Sequence, residues 1–324
     1  MRLSVIMPNH NHAALLPRAV EAALSQSRPP HELIVVDDAS TDDSVRVLDE
    51  LRARHPAVRL VRRETNGGVL EAFHTGLEHA SGDWFYGAGA DDQVLPGFFA
   101  AAAEQATRHP DAGIIDGQII AAYPDHRGDE IQRLPEIDHD RYFDPAAARL
   151  LHDRIEAGLS LSAATIYRRA AFDAAGGFPT ELRSWADTFI CRVLAARHGF
   201  VHLARPCVRW SIDRASYSHR NGHDVAAMQA IAHDAIRRLR SPPLADLYPE
   251  ADTQRWALKW QLEMAGGYAD LRQTIVPRRL RDVRRAYAEL GRHPDATPVD
   301  RLLSATLRGF FAVLDRRRER DRVL

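Results

Sequence analysis

The sequence predicts an α/β fold: a mostly parallel sheet flanked by helices, followed by a helical C-terminal region. Three observations predict it. Short apolar runs alternate with amphipathic helical stretches from Leu3 to Tyr86, each apolar run ends in polar or small residues, and helical periodicity takes over beyond Asp224. At 324 residues with 45% hydrophobic content, the chain can bury a sizeable core.

Residues 3–7 form a short apolar strand closed by Pro8-Asn9-His10-Asn11-His12, and residues 13–25 carry Leu15, Leu16, Ala19, Val20, Ala23 and Leu24 on one helical face. Leu33-Ile34-Val35-Val36, ending in Asp37-Asp38-Ala39-Ser40-Thr41-Asp42, is the pattern of a buried parallel strand. A helix over 43–54 begins in that acidic, hydroxyl-rich segment, which suits an N-cap. Residues 58–61 give a third strand, Glu64-Thr65-Asn66-Gly67-Gly68 a loop, 69–80 a helix and Trp84-Phe85-Tyr86 a fourth strand. In such an order ligands sit at the carboxyl ends of the strands. Asn9 to Asn11, Asp37-Asp38, Asn66-Gly67 and Asp91-Asp92 all fall on that edge.

Further on, residues 111–117 form a strand that continues to 122 past a bend at Gly117. Residues 123–144, bracketed by Pro124, Pro135 and Pro145, read as a long excursion over the active face. A helix over 145–151, a strand of small residues over 160–167 and a helix over 168–175 follow, stopped by Gly176-Gly177-Phe178-Pro179. A helix opens within 182–192 and runs to His198-Gly199, before a strand over 200–203. Arg205, Arg209, Arg214 and Arg220, set among Trp210, Tyr217 and His219, describe a cationic, aromatic loop or a solvated linker. Helices over 225–239, 251–264, 278–290 and 299–318 complete the chain, dividing it into domains 1–222 and 223–324.

Composition excludes several classes. With 43 basic and 44 acidic residues there is no global field for nucleic acid. Cys191 and Cys207 make no disulfide framework, and no Cys/His spacing suits zinc, so a reducing cytoplasm is the expected compartment. Pro8 cuts the first apolar run too early for a signal peptide, and no stretch of about 18 apolar residues offers a transmembrane segment. The first loop lacks G-x-G-x-x-G, and no G-x-x-x-x-G-K-[ST] occurs, which removes dinucleotide-binding and P-loop folds.

Gly87-Ala88-Gly89-Ala90 leads into Asp91 and Asp92. Small residues allow a ligand close to the backbone, and paired carboxylates offer hard oxygens to a divalent cation. A turn ended by Pro96 is the other reading of the same residues.

Together, Ser4-Val5-Ile6-Met7-Pro8-Asn9-His10-Asn11, Ile34-Val35-Val36-Asp37-Asp38-Ala39-Ser40-Thr41-Asp42, Asn66-Gly67-Gly68 with Gly76-Leu77, and Gly89-Ala90-Asp91-Asp92 with Leu95-Pro96 resemble glycosyltransferase family 2. The resemblance covers residues 2–100 closely, with weaker echoes to about 220. It implies a GT-A-like fold and a nucleotide-diphosphate-sugar donor. By position it implies Pro8, Asn11, Asp37 and Asp38 as base and ribose contacts, in a site that includes Asn9, His10, Asn66, Gly67, Ala90, Asp91 and Asp92. Asp91, with Asp92, would hold Mn²⁺ or Mg²⁺; Asp187 would be the general base; Arg214 and His219 would lie in a loop closing on the diphosphate. Other roles compete: Asp38 and Asp42 as helix caps, Asp187 as a charge suited to a helix N-terminus, and His10 with His12 as a metal pair.

Four departures mark this chain. Gly89 stands where the family's Asp-x-Asp motif has its first Asp, His10 replaces a frequent Tyr, and Phe73-His74 replace a frequent Arg-Asn. Near Asp187, Ala186 stands for the Glu of an acidic pair. The expected activity is an inverting transfer of sugar, with UDP-sugar as donor, to a hydroxyl of a saccharide or glycolipid, in surface polysaccharide or glycoconjugate synthesis. A non-catalytic sugar-nucleotide-binding relative and a sugar nucleotidyltransferase are the competing classes, the latter lacking its Gly-rich signature. The stripe Leu303, Leu307, Phe310 or Phe311, and Leu314, before Arg316-Arg317-Arg318, suits packing on the catalytic domain, an anionic membrane surface at its inner face, or a second subunit.

Overall fold

A computed structural model describes residues 1–123, 129–132, 134, 137–154, 162–212, 225–250, 253 and 256. The chain separates into two compact units, Met1–Ser216 and Tyr217–Leu324.

The first unit opens with β1 (Leu3–Asn9), α1 (Leu16–Leu24), β2 (Glu32–Asp38), α2 (Ser44–Arg54), β3 (Val58–Arg63), α3 (Val69–His79) and β4 (Trp84–Gly87). It continues with β5 (Gln93–Val94), α4 (Phe98–Arg108), β6 (Ile114–Ala122), β7 (Asp129–Gln132), β8 (Arg141–Phe143) and α5 (Pro145–Arg154). Then come β9 (Ile166–Arg168), α6 (Arg169–Ala174), α7 (Ala186–His198) and β10 (Phe200–Ser211). One sheet holds all ten strands, in the order β3-β2-β1-β4-β9-β6-β10-β5, with β7 on β6 and β8 on β10. Strands β3, β2, β1 and β4 are parallel, as is β6 with β10; β9, β5, β7 and β8 join antiparallel.

The apolar run of β2 is buried along its whole length, as a central parallel strand covered on both faces requires. Helix α1 buries Leu16, Ala19, Val20 and Ala23, the stripe that 3.6-residue spacing makes. Each fully buried Leu or Val contributes about 1.5–3 kcal/mol of transfer free energy. On the other face α3 rides very close to the sheet. A Cβ at Gly76 would come within 2.5 Å of Ile6 Cγ2 and 3.0 Å of Val36 Cγ2. Phe73 packs beside it against Phe85 and Phe178, and Phe85 stacks on Tyr167 at 5.1 Å, so one aromatic cluster ties α3 to β4 and β9.

At the amino ends of the parallel strands, Glu32 accepts hydrogen bonds from Ser4 Oγ (2.7 Å), Ser81 N (2.7 Å) and Arg59 Nη1 (2.9 Å). Burial opposes its ionisation, but these donors outweigh it and hold the carboxyl at about 2. That ionised knot locks β1, β2 and the entry to β4.

Several elements differ from the sequence-based expectation. Helix α4 is an addition, an Ala-rich segment entered through Gly97 in the left-handed region (φ 88°). The excursion over 123–144 contains β7 and β8, two antiparallel additions to the sheet. Among the described residues of 160–167, Ser162–Ala164 forms a 3₁₀ turn and the strand, Ile166–Arg168, starts only after it. Gly117 does not end β6; a Cβ there would run into Cys207 Sγ, so the glycine serves a close approach between neighbouring strands. Strand β10 continues past Leu203 to Ser211, with register shifts on either side of Pro206, where a bulge accommodates a residue that cannot donate to the ladder. Arg205 and Arg209 therefore stand on a strand, paired with Asp140 (2.8 Å) and Asp129 (3.0 Å), not in a loop.

In the second unit, α8 (Val225–Leu239) buries Ile231, Ala232, Ala235, Ile236 and Leu239, and Tyr248 meets Trp256 edge to face at 4.7 Å. Arg214, His219 and the expected helices over 278–290 and 299–318 lie outside the described residues, as does nearly all of 251–264.

Substituting Gly76→Ala forces a methyl into the α3–sheet contact. Overpacking of this kind costs about 1–3 kcal/mol, more than the helix propensity that Ala returns, and urea unfolding should show that loss.

Candidate functional site

The loops after β1 and β2 are laced together by side chains. Asn9 is buried and its Nδ2 donates to Asp37 Oδ1 (2.9 Å) and Ser40 Oγ (3.2 Å), while Asp37 Oδ2 accepts the Ser40 N–H (3.2 Å). Asn11, at φ 60°, accepts the Thr41 N–H on its Oδ1 (2.8 Å), and its own N–H donates to Ser40 Oγ (3.0 Å). Asn tolerates that left-handed backbone, and the turn aims its amide across to the β2 loop. Asp42 Oδ2 accepts the Ala13 N–H (3.0 Å) and its Oδ1 the Ser44 N–H (2.9 Å), so Asp42 both bridges the loops and caps α2. His10 Nδ1 lies 2.8 Å from the Asp38 carbonyl. Pro8, half-buried, pairs with Val36 just before this junction.

Asp38 reaches the next loop. Its Oδ1 accepts the Gly67 N–H (3.1 Å) and its Oδ2 the Gly68 N–H (2.8 Å), and Asn66 Oδ1 shares the latter donor (2.9 Å). Arg63 Nε stands 2.8 Å from Asp38 Oδ1, an ion pair by distance whose N–H is not directed along the line of a good hydrogen bond. Asp38 thus holds the Asn66-Gly67-Gly68 turn instead of capping α2. Asp37, beside it, faces the first loop.

Past β4 the chain turns through Gly87 to Asp92. Ala88 and Ala90 are buried in the core, which leaves Gly89, Asp91 and Asp92 to form the surface of the turn. A Cβ on Gly89 would lie 2.5 Å from Asp92 Oδ2 and 2.9 Å from Asp91 Oδ1, so both carboxylates converge where the family's first Asp would place its side chain. Ser211 N donates to Asp92 Oδ1 (2.8 Å), Ser211 Oγ to the Asp91 carbonyl (2.8 Å), and Arg18 Nη2 to the same carbonyl (3.0 Å). The residue Asp92 is half-buried, with its Oδ1 covered by the Ser211 N–H and its Oδ2 close to Gly89. Burial, with the Asp91 charge beside it, pushes this carboxyl up to about 7.

Those two oxygens suit a divalent cation: they are hard donors closing on one point, in a cradle that a side chain at 89 would fill. Among the described residues no three His, Cys, Asp or Glu side chains form a metal cluster, so further ligands would be diphosphate oxygens and water. Both ring nitrogens of His10 are engaged, Nδ1 at the Asp38 carbonyl and Nε2 at Asn11 Nδ2.

Asp187 stands in the first turn of α7, after the 3₁₀ turn Thr180–Trp185 in which Arg183 has φ 49°. Its Oδ1 accepts the adjacent Thr188 N–H at 2.6 Å, and a negative charge in a helix's first turn is favourable to the helix dipole. Burial pushes the Cys191 thiol up to about 12, and the Asp187 and Asp116 charges add to that rise. Burial likewise raises Tyr167, with Cys191 and Asp187 contributing. Asp187 therefore lies electrostatically close to Tyr167, which stacks on β4 residue Phe85. Phe73 is buried in that aromatic cluster, so it offers nothing to a phosphate.

Arg18, Ser40, Arg63 and Ser211 escaped the sequence reading. Each acts on another element's backbone or carboxylate, with Ser211 and Asp92 119 positions apart, and no local motif signals such pairings.

A sheet with this strand order, carrying carboxylates at the ends of adjacent parallel strands, is an α/β fold whose strand-end edge offers a ligand site. The model of Glycosyl transferase family 2 matches residues 4–176, and the chain belongs to that family. An uncharacterized protein of Sinorhizobium fredii is 33% identical over 160 residues, 45% of this chain and 18% of that protein. The PGL/p-HBAD biosynthesis glycosyltransferase of Mycobacterium bovis is 29% identical over 118 residues, 36% of this chain and 46% of the relative. The matched part is thus under half the length of these curated relatives. In fold, the chain is similar to S. aureus TarS 1–349 in complex with UDP-GlcNAc, with TM-score 0.63, 19% identity, and 92% and 82% of the two chains covered. It is also similar to the mannosyltransferase PcManGT from Pyrobaculum calidifontis in complex with GDP-Man and Mn²⁺, with TM-score 0.56, 19% identity, and 97% and 80% covered. The fold is that of GT-A glycosyltransferases.

Because the folded state raises the Asp92 pKa above its ordinary value of 3.8, the native protein binds a proton more tightly there than the unfolded chain does. This group's contribution to stability falls as pH rises from about 4 to about 7, then levels. Asp92→Asn keeps an oxygen for the Ser211 N–H and removes the charge. In metal-free buffer its melting temperature should match the parent near pH 4 and exceed it increasingly toward pH 8.

Proposed function

We propose that this chain is an inverting glycosyltransferase that moves a sugar from a UDP-sugar to a hydroxyl of a saccharide or glycolipid. Family membership supports sugar transfer. One observation carries the site: Asn9, Asp37, the Asp38-held Gly67-Gly68 turn and Asp91-Asp92 close the carboxyl ends of four adjacent parallel strands. TarS, similar in fold, binds UDP-GlcNAc, which supports uridine over other bases as the first candidate.

In this reading Pro8, Asn9, His10 and Asn11 form one wall of the nucleoside site, Asp37 and Asp38 its floor, and Asn66-Gly67 its side. Asp37 retains lone pairs beyond the Asn9 and Ser40 bonds, so it can accept the imide N–H of uracil. Ala90, buried, supports the turn from which Asp91 and Asp92 face the donor's diphosphate. A divalent cation, Mn²⁺ or Mg²⁺, supplies charge compensation for that diphosphate when bound there. Asp187 removes the acceptor hydroxyl's proton as its oxygen bonds to the anomeric carbon, and the bond from that carbon to the diphosphate oxygen breaks to release UDP. The transferase reading concerns residues 1–222; we assign no step to 223–324. No helix among the described residues is long and apolar enough to cross a membrane.

Calorimetry with UDP, GDP and ADP, with Mn²⁺ and with EDTA, tests the donor. UDP should bind with Mn²⁺ and weaken in EDTA, and Asp91→Asn should lose that metal-dependent part; absence of heat with every nucleotide at millimolar concentration would overturn the reading.

Asp187→Asn keeps the Thr188 bond's acceptor while removing basicity. Donor affinity should survive and turnover fall by about 100-fold or more, measured as UDP release with acceptor present. Near-normal turnover would reject Asp187 as base, and loss of donor binding would move it to the donor side.

A further inference from the structure

The Gly89 departure removes one carboxylate from the metal motif, yet the turn keeps two oxygens on one point, and what holds them there comes from far along the chain. Ser211, the last residue of β10, makes two bonds to consecutive residues of the turn. Its N–H engages Asp92 Oδ1 and its Oγ–H engages the Asp91 carbonyl. The first bond occupies one oxygen of Asp92 and leaves Oδ2 turned toward Gly89, beside Asp91 Oδ1. The second fixes the peptide that joins the two residues, with Arg18 on the same carbonyl from the other side.

We infer that Ser211 is a positioning residue that orients Asp91 and Asp92 as a joint pair of cation ligands, compensating for the missing carboxylate at 89. Its two bonds end on the turn, and it acts through them. Two adjacent like charges turned toward each other repel, and a hydrogen-bonded peptide between them keeps the pair from swinging apart. Ser211 is itself fixed by the β6 pairing Ser211–Ala122 and by the Ile212 N–H on the Ala122 carbonyl (2.9 Å), so the anchor is the sheet and not a loop. The inference rests on the nucleotide-sugar reading for what the cation serves, but not for how the carboxylates are held.

The test uses the full chain, Mn²⁺ followed by electron paramagnetic resonance, and UDP as probe. Ser211→Ala deletes the Oγ bond and keeps the N–H; Ser211→Thr restores a hydroxyl on a residue that suits a strand. Ser211→Ala should weaken Mn²⁺ binding about three- to tenfold, the range one hydrogen bond supports, with UDP affinity in EDTA and melting temperature unchanged. Ser211→Thr should recover most of it. Equal Mn²⁺ affinity in Ser211→Ala and the parent overturns the inference. So does a loss matched by lower melting temperature and weaker UDP binding in EDTA, since that is a structural role alone. A parent that holds Mn²⁺ without any gain in UDP affinity overturns the nucleotide-sugar reading, while the Ser211 comparison is still decided by Mn²⁺; a parent that holds neither overturns both.

Discussion

Four carboxylates, Asp37, Asp38, Asp91 and Asp92, crowd one edge of the sheet, and the architecture of that edge follows from keeping them there. Their mutual repulsion, and the cost of burying charge, are met by donors that are mostly backbone N–H groups: Ser40 for Asp37, Gly67 and Gly68 for Asp38, Ser211 for Asp92. Backbone donors are fixed by the fold, so they hold the carboxylates without the entropy cost of ordering long cationic side chains. Each satisfied carboxylate also stitches one loop to another, and electrostatic containment and loop order become the same set of bonds.

The two ends of the parallel strands use acidic residues in opposite ways. At the amino ends Glu32 is surrounded by hydroxyl, amide and guanidinium donors and stays ionised far below neutrality. At the carboxyl ends burial raises the proton affinity of Asp92, the Asp91 charge adds to it, and one backbone donor, Ser211 N–H, offsets it only in part. The first arrangement closes a structure; the second leaves charge unbalanced, ready for a cationic or proton-bearing partner. The same residue class therefore serves the fold at one end of the strands and is left exposed to titration at the other.

The sequence made the first half of the sheet legible because β1, β2 and β4 are short, mostly apolar runs, each followed by polar or small residues that mark the strand's end. Asn9, Asp37 and Asp91 could be placed on one edge from strand order alone. The far half was less legible. Strands β7 and β8 are short and polar, so they carry no periodic signal, and β10 hides behind Pro206, which reads as a terminator unless the bulge is known. Helix α4 is an Ala-rich stretch after a Pro-Gly turn, recognisable in retrospect by Phe98 and Phe99 packing on Tyr86. Arg18 and Ser211 act on a carbonyl and a carboxylate over long separations, and side-chain type alone does not encode such contacts.

The bulge in β10 also sets a phase. Between the pairings Leu203–Gly117 and Val208–Ile119, β10 advances five residues (203 to 208) while β6 advances two (117 to 119), an excess of three. Successive N–H groups along a strand point to alternate sides within the sheet, so an odd excess decides which neighbour each later residue addresses. With it, the Ser211 N–H faces away from β6 and toward the turn that carries Asp92. Losing or gaining one residue between 203 and 208 would leave the strand's composition almost unchanged but rotate that donor back toward β6. The kink around Pro206 therefore works as a counting device for a contact several residues downstream, and the length of this stretch is under tighter constraint than the identity of most residues in it.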